Sequence, residues 1–155
     1  MRSVKVGVIG CGNISAAYLK AAKTFPVLDV VALSDLNREA AEARAAEFDI
    51  PARSVEETLA DPEIEIILNL TVPKAHVEVG LRALEAGKHV HSEKPLGVTV
   101  AEARTLVEAA QAKGLRIGSA PDTFLSGTQQ RARLHRRGFD WKAGRRNRLL
   151  HVSRP

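Results

Sequence analysis

Short apolar runs rich in β-branched residues alternate with longer, alanine-rich amphipathic stretches along most of the chain. The short runs predict β-strands, and the longer stretches predict helices of about 10–15 residues between them. The predicted strands are Val4–Ile9, Val27–Ser34, Ile64–Leu70, His89–His91 and Arg116–Ala120. Such alternation is typical of βαβ units, so we predict an α/β fold with a doubly wound parallel sheet that carries helices on both faces.

Local signals indicate where the predicted helices begin and end. Ser54–Glu57 and Thr99–Glu102 have the spacing of capping boxes, in which a hydroxyl and a glutamate bind the first backbone amides of a helix. Asn37 predicts the start of the second helix. Pro73 fits the first turn of a helix that Gly87 ends.

The regular pattern stops near residue 130, and the charge changes there as well. Residues 131–155 hold nine Lys and Arg against one acid, a net charge of +8, whereas residues 1–130 hold 14 against 17, a net charge of −3. The positive excess belongs to a tail, and the body needs no polyanionic partner. We predict a folded domain over residues 1–122 and, over residues 123–155, a connecting segment with a basic tail that is disordered or frame-shifted.

The frame-shift hypothesis comes from back-translation of the tail. Codons chosen for Leu134–Pro155 and read one base later give FIDEGLIGKPVAGTAFFMSRG, a peptide with a helix end, glycine stops and a β-prone run. Free choice of third bases contributes to this match, although the single codon of Trp141, followed by Lys142, imposes a glycine at one position. The hypothesis predicts that downstream DNA encodes a further α/β domain.

Composition excludes several classes of protein. No apolar run approaches the ~20 residues that a membrane span needs. The single cysteine, Cys11, excludes an internal disulfide framework and fits a reducing compartment. Aromatic residues are only 4% of the chain, so stacking surfaces for single-stranded nucleic acid are scarce. We therefore expect a cytoplasmic protein that is not embedded in a membrane.

A glycine-containing loop follows the first predicted strand and opens the first helix. In Gly10–Ser15, the first glycine permits a tight turn and Gly12 lets the backbone approach a pyrophosphate. The third small position is Ser15, where this type of loop usually has glycine. The amides at the start of the helix then face the phosphates. The loop predicts a dinucleotide site, and a plain strand-to-helix turn is the alternative.

Asp35 ends the second predicted strand, 20 residues after Ser15. A carboxylate at this place accepts hydrogen bonds from the adenosine ribose and repels a 2′-phosphate, which favours NAD. NADP remains an alternative cofactor because of Arg38, since an arginine at this place can accommodate the 2′-phosphate. A solvated turn residue or a helix cap is the alternative for Asp35.

Glu93, Lys94 and Pro95 follow the strand His89–His91, at the edge where open α/β sheets bind ligands. A lysine beside a nicotinamide could hold a substrate hydroxyl and share its proton. The alternative is a surface lysine paired with Glu93. A metal site formed by His89, His91 and Glu93, which share one face of the strand, is less favoured, because a cofactor already explains the segment.

These segments together resemble the Gfo/Idh/MocA oxidoreductases, named for glucose–fructose oxidoreductase, inositol dehydrogenase and a rhizopine-catabolism protein. The similar runs are GVIGCGNIS, SDLN, VPKAHVEVGLRALEAGKHVHSEKPLGVTVAEARTLVEAA and APDTF, within roughly residues 3–130. The resemblance implies an N-terminal Rossmann domain that binds NAD, or NADP, and carries hydride to or from sugars, cyclitols and related polyols.

The resemblance also implies a role for each matching position. The pyrophosphate would be lined by Gly10, Gly12, Asn13 and Ile14, and the adenosine ribose by Asp35. The nicotinamide side would include Thr71, Pro73 and His76. Glu93 and Lys94 would reach the nicotinamide ribose and the substrate, with Lys94 as the catalytic lysine, and Asp122 would border the active site. Pro95 in this motif is often cis. No metal is implied.

One departure from the family pattern is large. Family members continue into a second α/β domain that supplies the substrate pocket and commonly the oligomer contact, and no such segment is recognisable here. We therefore expect cofactor binding with negligible turnover of sugars or cyclitols by the 155 residues alone. Two other classes remain open: a non-catalytic NAD-binding or sensor module, and a nucleic-acid-associated protein that uses its Arg-rich tail.

Overall fold

Five parallel strands form a single sheet in the computed structural model, which describes residues 2–121. The strands are β1 (Val4–Ile9), β2 (Leu28–Ser34), β3 (Ile66–Asn69), β4 (His89–Ser92) and β5 (Ile117–Ser119). Their spatial order is β2-β1-β3-β4-β5, and every pairing is parallel. The predicted doubly wound α/β fold is confirmed.

Five α-helices connect the strands. They are α1 (Ser15–Ala22), α2 (Arg38–Phe48), α3 (Val55–Ala60), α4 (His76–Glu85) and α5 (Val100–Ala112), and a short 3-10 helix, Pro73–Ala75, precedes α4. Asn37 caps α2 through its side-chain oxygen, and capping boxes at Ser54 and Thr99 open α3 and α5. The three predicted helix starts are therefore confirmed.

Strand β1 lies at the centre and contributes to two hydrophobic cores. Successive side chains of a strand point to opposite faces, so Val8 packs with residues of α1 and α2, whereas Ile9 packs with residues of α3, α4 and α5. Both side chains are buried. Helices therefore cover both faces of the sheet, as the near-continuous apolar runs predict.

The third strand is shorter than the sequence predicts. The apolar run Ile64–Leu70 predicts seven paired residues, but only Ile66–Asn69 form the ladder. Ile64 is buried in the core next to the strand, with 1% of its surface exposed. A buried position favours an apolar residue whether or not it belongs to the strand. The length of the apolar run therefore overestimates the length of the strand.

The strand order reverses at β1, because β2 lies on one side of it and β3 on the other. Open α/β sheets bind ligands at such a switch point, beyond the carboxyl ends of the strands. Gly10 directly follows β1, and Glu93 follows β4 at the same edge of the sheet. The topology thus brings the two motifs singled out in the sequence to one edge.

Met1–Ala120 form one compact unit. The domain limit after residue 122 stays a prediction, and both Asp122 and the basic tail lie outside the described residues. Within residues 2–121, no helix has the length and apolar character needed to cross a bilayer.

Candidate functional site

The turn after β1 requires a glycine at Gly10. Its φ of +108° lies in a region that side chains rarely adopt. A Cβ at this position would lie 2.5 Å from the carbonyl carbon of Leu70, so the backbone directly after β3 also excludes a side chain. The Gly10 amide donates to the Ser34 carbonyl at 2.8 Å, which joins the turn to the end of β2.

Gly12 differs from Gly10 in having open space above it. A Cβ at Gly12 would meet no protein atom within 4 Å among the described residues. Asn13 and Ile14 beside it are exposed, Ile14 by 44%. A side chain at Gly12 would occupy open space over the loop, which is where a pyrophosphate approaches the backbone. These residues fit a dinucleotide.

Ser15 replaces the third glycine of the motif without loss of packing. Its side chain is fully buried, and its hydroxyl donates to the Gly12 carbonyl at 2.6 Å. Helix α1 begins at this residue. The serine thus satisfies its own hydroxyl and closes the loop, as a small third residue should.

The carboxylate of Asp35 joins three parts of the site. Its Oδ2 accepts a hydrogen bond from the Cys11 amide at 2.7 Å, and its Oδ1 accepts one from the Asn37 amide at 2.8 Å. A carboxylate has about four acceptor positions, so these two bonds leave acceptor capacity for a ribose hydroxyl. The side chain stands at the carboxyl end of β2, where the sequence places it.

Cys11 fills the glycine loop as a buried thiol. Burial, with a smaller contribution from the charge of Asp35, raises the pKa of its thiol to about 11. A thiol with this pKa stays protonated near neutrality and is a poor nucleophile. Its role is therefore packing, as the sequence predicts.

Lys94 is exposed in the turn that follows β4. The Lys94 amide donates to Oε2 of Glu93 at 3.0 Å, and the Glu93 amide donates to the Asn69 carbonyl at 2.9 Å. The Lys94–Pro95 peptide bond is cis. The turn is thus anchored to the end of β3.

Polar side chains also organise the loop that follows β3. Asn69 is fully buried; its amide nitrogen donates to the His76 carbonyl at 2.9 Å, and its oxygen accepts from the Thr71 hydroxyl at 2.7 Å. Pro73 is exposed at the start of the 3-10 helix. This loop lies beside the Lys94 turn because β3 pairs with β4.

His76 lies beneath these loops and is only 1% exposed. Its Nδ1 is 2.6 Å from the Pro95 carbonyl oxygen, and its Nε2 is 2.9 Å from the Thr71 carbonyl oxygen. The ring thus connects the loop after β3 with the Lys94 turn. A direct contact between its side chain and a cofactor stays a prediction.

Sequence reasoning missed two residues of this region. Tyr18 of α1 donates its hydroxyl to Oε1 of Glu93 at 2.5 Å. Arg44 of α2 donates to the Gly12 carbonyl at 3.3 Å and pairs with Glu47. The Tyr18–Glu93 and Arg44–Gly12 contacts join residues far apart in the chain, so local spacing in the sequence does not predict them.

The alternative of a metal site at the strand His89–His91 is not supported by a cluster of ligands in the described residues. Within residues 2–121, no three His, Cys, Asp or Glu side chains form a cluster that could hold a metal ion. The Nδ1 of His89 instead accepts a hydrogen bond from the Arg116 amide at 3.0 Å.

The parallel sheet, the glycine loop at its switch point and the acid at the end of β2 define a Rossmann-type dinucleotide-binding domain. Residues 4–120 match the family model described as an oxidoreductase family with an NAD-binding Rossmann fold, named GFO_IDH_MocA. The chain belongs to this family, and the resemblance found in its sequence is confirmed.

Curated relatives agree with this assignment. The chain is 38% identical over 119 residues to inositol 2-dehydrogenase of Pseudomonas savastanoi pv. phaseolicola, and 32% identical over 119 residues to inositol 2-dehydrogenase of Salmonella paratyphi B. Each match covers 74% of this chain and 35% of the relative. The chain therefore spans about a third of the length of these relatives.

Solved structures show the same fold. A 3-ketoreductase from Actinomadura kijaniata, in complex with NADP and TDP-benzene, superposes with a TM-score of 0.77 at 27% identity, covering 88% of this chain and 43% of that one. Biliverdin reductase from Synechocystis sp. PCC 6803, in complex with biliverdin and NADP+, has a TM-score of 0.77 at 27% identity, covering 84% and 42%.

Proposed function

We propose that this chain is the NAD-binding part of a dehydrogenase that transfers hydride at a CH–OH group of a sugar or cyclitol. The observation that carries the proposal is that the glycine loop and the Lys94 turn lie at the same edge of the sheet. The inositol 2-dehydrogenases among its relatives support the substrate class. Bound NAD would supply a nicotinamide ring that accepts the hydride.

The residues of the chain divide between binding and chemistry. The backbone at Gly10 and Gly12, with the exposed Asn13 and Ile14, is proposed to line the pyrophosphate. Asp35 is proposed to accept hydrogen bonds from the adenosine ribose, and Thr71, Pro73, His76 and Glu93 to form or support the nicotinamide side. Helix α1 begins at this loop, so the positive end of its dipole favours an anion there.

Lys94 is proposed as the catalytic residue. Its ammonium group is a hydrogen-bond donor that can hold a substrate hydroxyl and share the proton that leaves it. The fixed Glu93 and Pro95 on either side give its backbone a defined position. Orientation of this kind lowers a reaction barrier because the reacting groups no longer have to find each other.

An assay with NAD and a panel of inositols and sugars tests the reaction. We expect at most a trace of polyol-dependent NADH formation by the 155-residue chain, and expect Lys94→Met to abolish that trace. Lys113→Met is the matched control. It removes an exposed lysine at the C-terminal end of α5, whereas the Lys94 turn precedes the N-terminal end of that helix. A rate that survives Lys94→Met contradicts the assignment, and NAD binding without any formation of NADH leaves a non-catalytic NAD-binding module.

We further propose that the chain prefers NAD to NADP. The charge of Asp35 would repel a 2′-phosphate. Two arginines oppose this preference, since Arg38 and Arg53 line a cavity of about 230 Å³ beside Asp35. Arg53 is engaged with Asp61 at 2.6 Å, whereas Arg38 forms an exposed pair with Glu42 that contributes little and is easily exchanged.

Replacement of Asp35 by serine should therefore reduce the preference for NAD over NADP. We expect Asp35→Ser to weaken NADH binding about tenfold or more, as loss of a charged hydrogen bond does, and to strengthen NADPH binding. Addition of Arg38→Gln should remove the gain for NADPH. Calorimetric titration measures the affinities of all three chains for NADH and NADPH, and tighter binding of NADPH by the unmodified chain would overturn the preference.

A cytoplasmic location is part of the proposal. Cys11 is a buried free thiol, which fits a reducing compartment. Fractionation of cells that express the tagged chain tests this location.

A further inference from the structure

A hydrogen bond connects helix α1 to the Lys94 turn across 75 residues of sequence. The Tyr18 hydroxyl donates to Oε1 of Glu93 at 2.5 Å, and the Lys94 amide donates to Oε2 at 3.0 Å. Both oxygens of one carboxylate are therefore held, one by a side chain and one by the backbone.

The backbone around this carboxylate is fixed independently. The Glu93 amide donates to the Asn69 carbonyl, and the Pro95 carbonyl lies 2.6 Å from Nδ1 of His76. These contacts tie the turn to β3 and α4 without Tyr18. Removal of the Tyr18 hydroxyl would thus release Oε1 of Glu93 and leave the turn, with its bond from the Lys94 amide to Oε2, in place.

We propose that Tyr18 is a positioning residue that orients the Glu93 carboxylate for the nicotinamide half of the cofactor. This inference rests on the proposed function, in which Glu93 faces the nicotinamide ribose. A carboxylate offers about four acceptor positions, so the two bonds described leave about two for ribose hydroxyls. A side chain held in its bound orientation loses less entropy when the ligand arrives, which strengthens binding.

Tyr18 is suited to this task because its hydroxyl stays protonated. Its ring is partly buried, and burial, together with the hydrogen bond and the charge of Glu93, raises the pKa of the phenol well above its usual value. The hydroxyl therefore stays protonated near neutral pH and remains a hydrogen-bond donor to Glu93.

Paired titrations of NADH and ADP separate positioning from general stability. ADP carries the adenosine and the pyrophosphate but no nicotinamide half. We expect Tyr18→Phe to weaken NADH binding about tenfold, as loss of a hydrogen bond to a charged group does, and to leave ADP binding unchanged. Thr24→Val is the matched control, since it also removes a hydroxyl near α1, one that donates to the Ala21 carbonyl.

A second background shows whether Tyr18 acts through Glu93. In the Glu93→Ala chain, Tyr18→Phe should change NADH affinity by less than about twofold, because the carboxylate to be oriented is gone. Equal weakening of NADH and ADP by Tyr18→Phe would overturn the inference, as would a tenfold loss that persists in Glu93→Ala. Failure of the unmodified chain to bind NADH would instead contradict the proposed function.

The chain contains one tyrosine, so the absorbance of tyrosinate reports on Tyr18 alone. An alkaline titration without cofactor tests the hydrogen bond itself. We expect Glu93→Gln to lower the pKa of Tyr18, because the charged acceptor is removed while the burial remains. An identical titration curve in both chains would show that the two side chains do not interact and would overturn the inference.

Discussion

At the residue scale, the two glycines of the loop, Gly10 and Gly12, have different surroundings. Gly10 is required by the protein, because its positive φ and the nearby backbone of Leu70 exclude a side chain. A Cβ at Gly12 would meet no described protein atom within 4 Å, so the protein itself leaves room for a side chain there. Alanine at each position should therefore separate stability from binding.

We expect Gly10→Ala to lower the free energy of unfolding by roughly 2–5 kcal/mol, from backbone strain and overpacking together. Gly12→Ala should leave stability unchanged or raise it by up to about 1 kcal/mol, because alanine has less freedom in the unfolded chain. The same Gly12→Ala chain should bind NADH at least about tenfold more weakly, a cost of ~1.4 kcal/mol.

Urea unfolding and NADH titration of both variants provide the comparison. Destabilisation of the Gly12→Ala chain by as much as the Gly10→Ala chain would contradict the division of roles between the two glycines.

At the element scale, the short helix α3 depends on its capping box. The Ser54 amide donates to Oε2 of Glu57 at 2.8 Å, and the Glu57 amide donates to the Ser54 hydroxyl at 3.1 Å. Six residues are too few to form a stable helix in isolation, so α3 relies on this cap and on its buried face. The hydrogen bonds from the Ser54 amide and hydroxyl hold the pKa of Glu57 below its usual value.

This lowered pKa predicts a dependence on pH. A group whose pKa is lower in the folded state stabilises the protein above its unfolded pKa and loses that contribution as the pH falls through the folded pKa. Glu57→Gln keeps an acceptor for the cap but cannot titrate. We expect the urea midpoint of the unmodified chain to exceed that of Glu57→Gln near neutral pH. This difference should shrink as the pH is lowered below the ordinary glutamate pKa of about 4.3.

Ser54→Ala is the companion variant, with an expected cost of about 1 kcal/mol at neutral pH from loss of the cap. A midpoint difference between the unmodified chain and Glu57→Gln that stays constant from neutral to acid pH would show that the carboxylate does not support the helix.

At the scale of the whole molecule, the sheet brings distant parts of the chain to one edge. Strand β1 contributes to two cores, and its neighbours β2 and β3 are followed by Asp35 and Thr71 on either side of the glycine loop. The Lys94 turn follows β4, the next strand in the sheet. A dinucleotide that extends along this edge would pass from Asp35 over the loop to Lys94.

The sequence alone determined the fold class, most helix starts and the glycine loop. These features depend on neighbours within a few residues: hydrophobic periodicity, the capping pairs at Ser54 and Thr99, and the tight turn at Gly10. Such interactions are local, so they are visible as spacing. The resemblance to the family was visible for the same reason, because its motifs are short contiguous runs.

Only the tertiary structure decided what holds these motifs in place. The contact of Tyr18 with Glu93, the bond from the Cys11 amide to Asp35 and the burial of His76 join segments that the sheet brings together. Hydrophobicity also overestimated β3, since Ile64 is buried without belonging to the ladder. A residue's burial and its distant partners follow from the packing of the whole chain, and local spacing does not encode them.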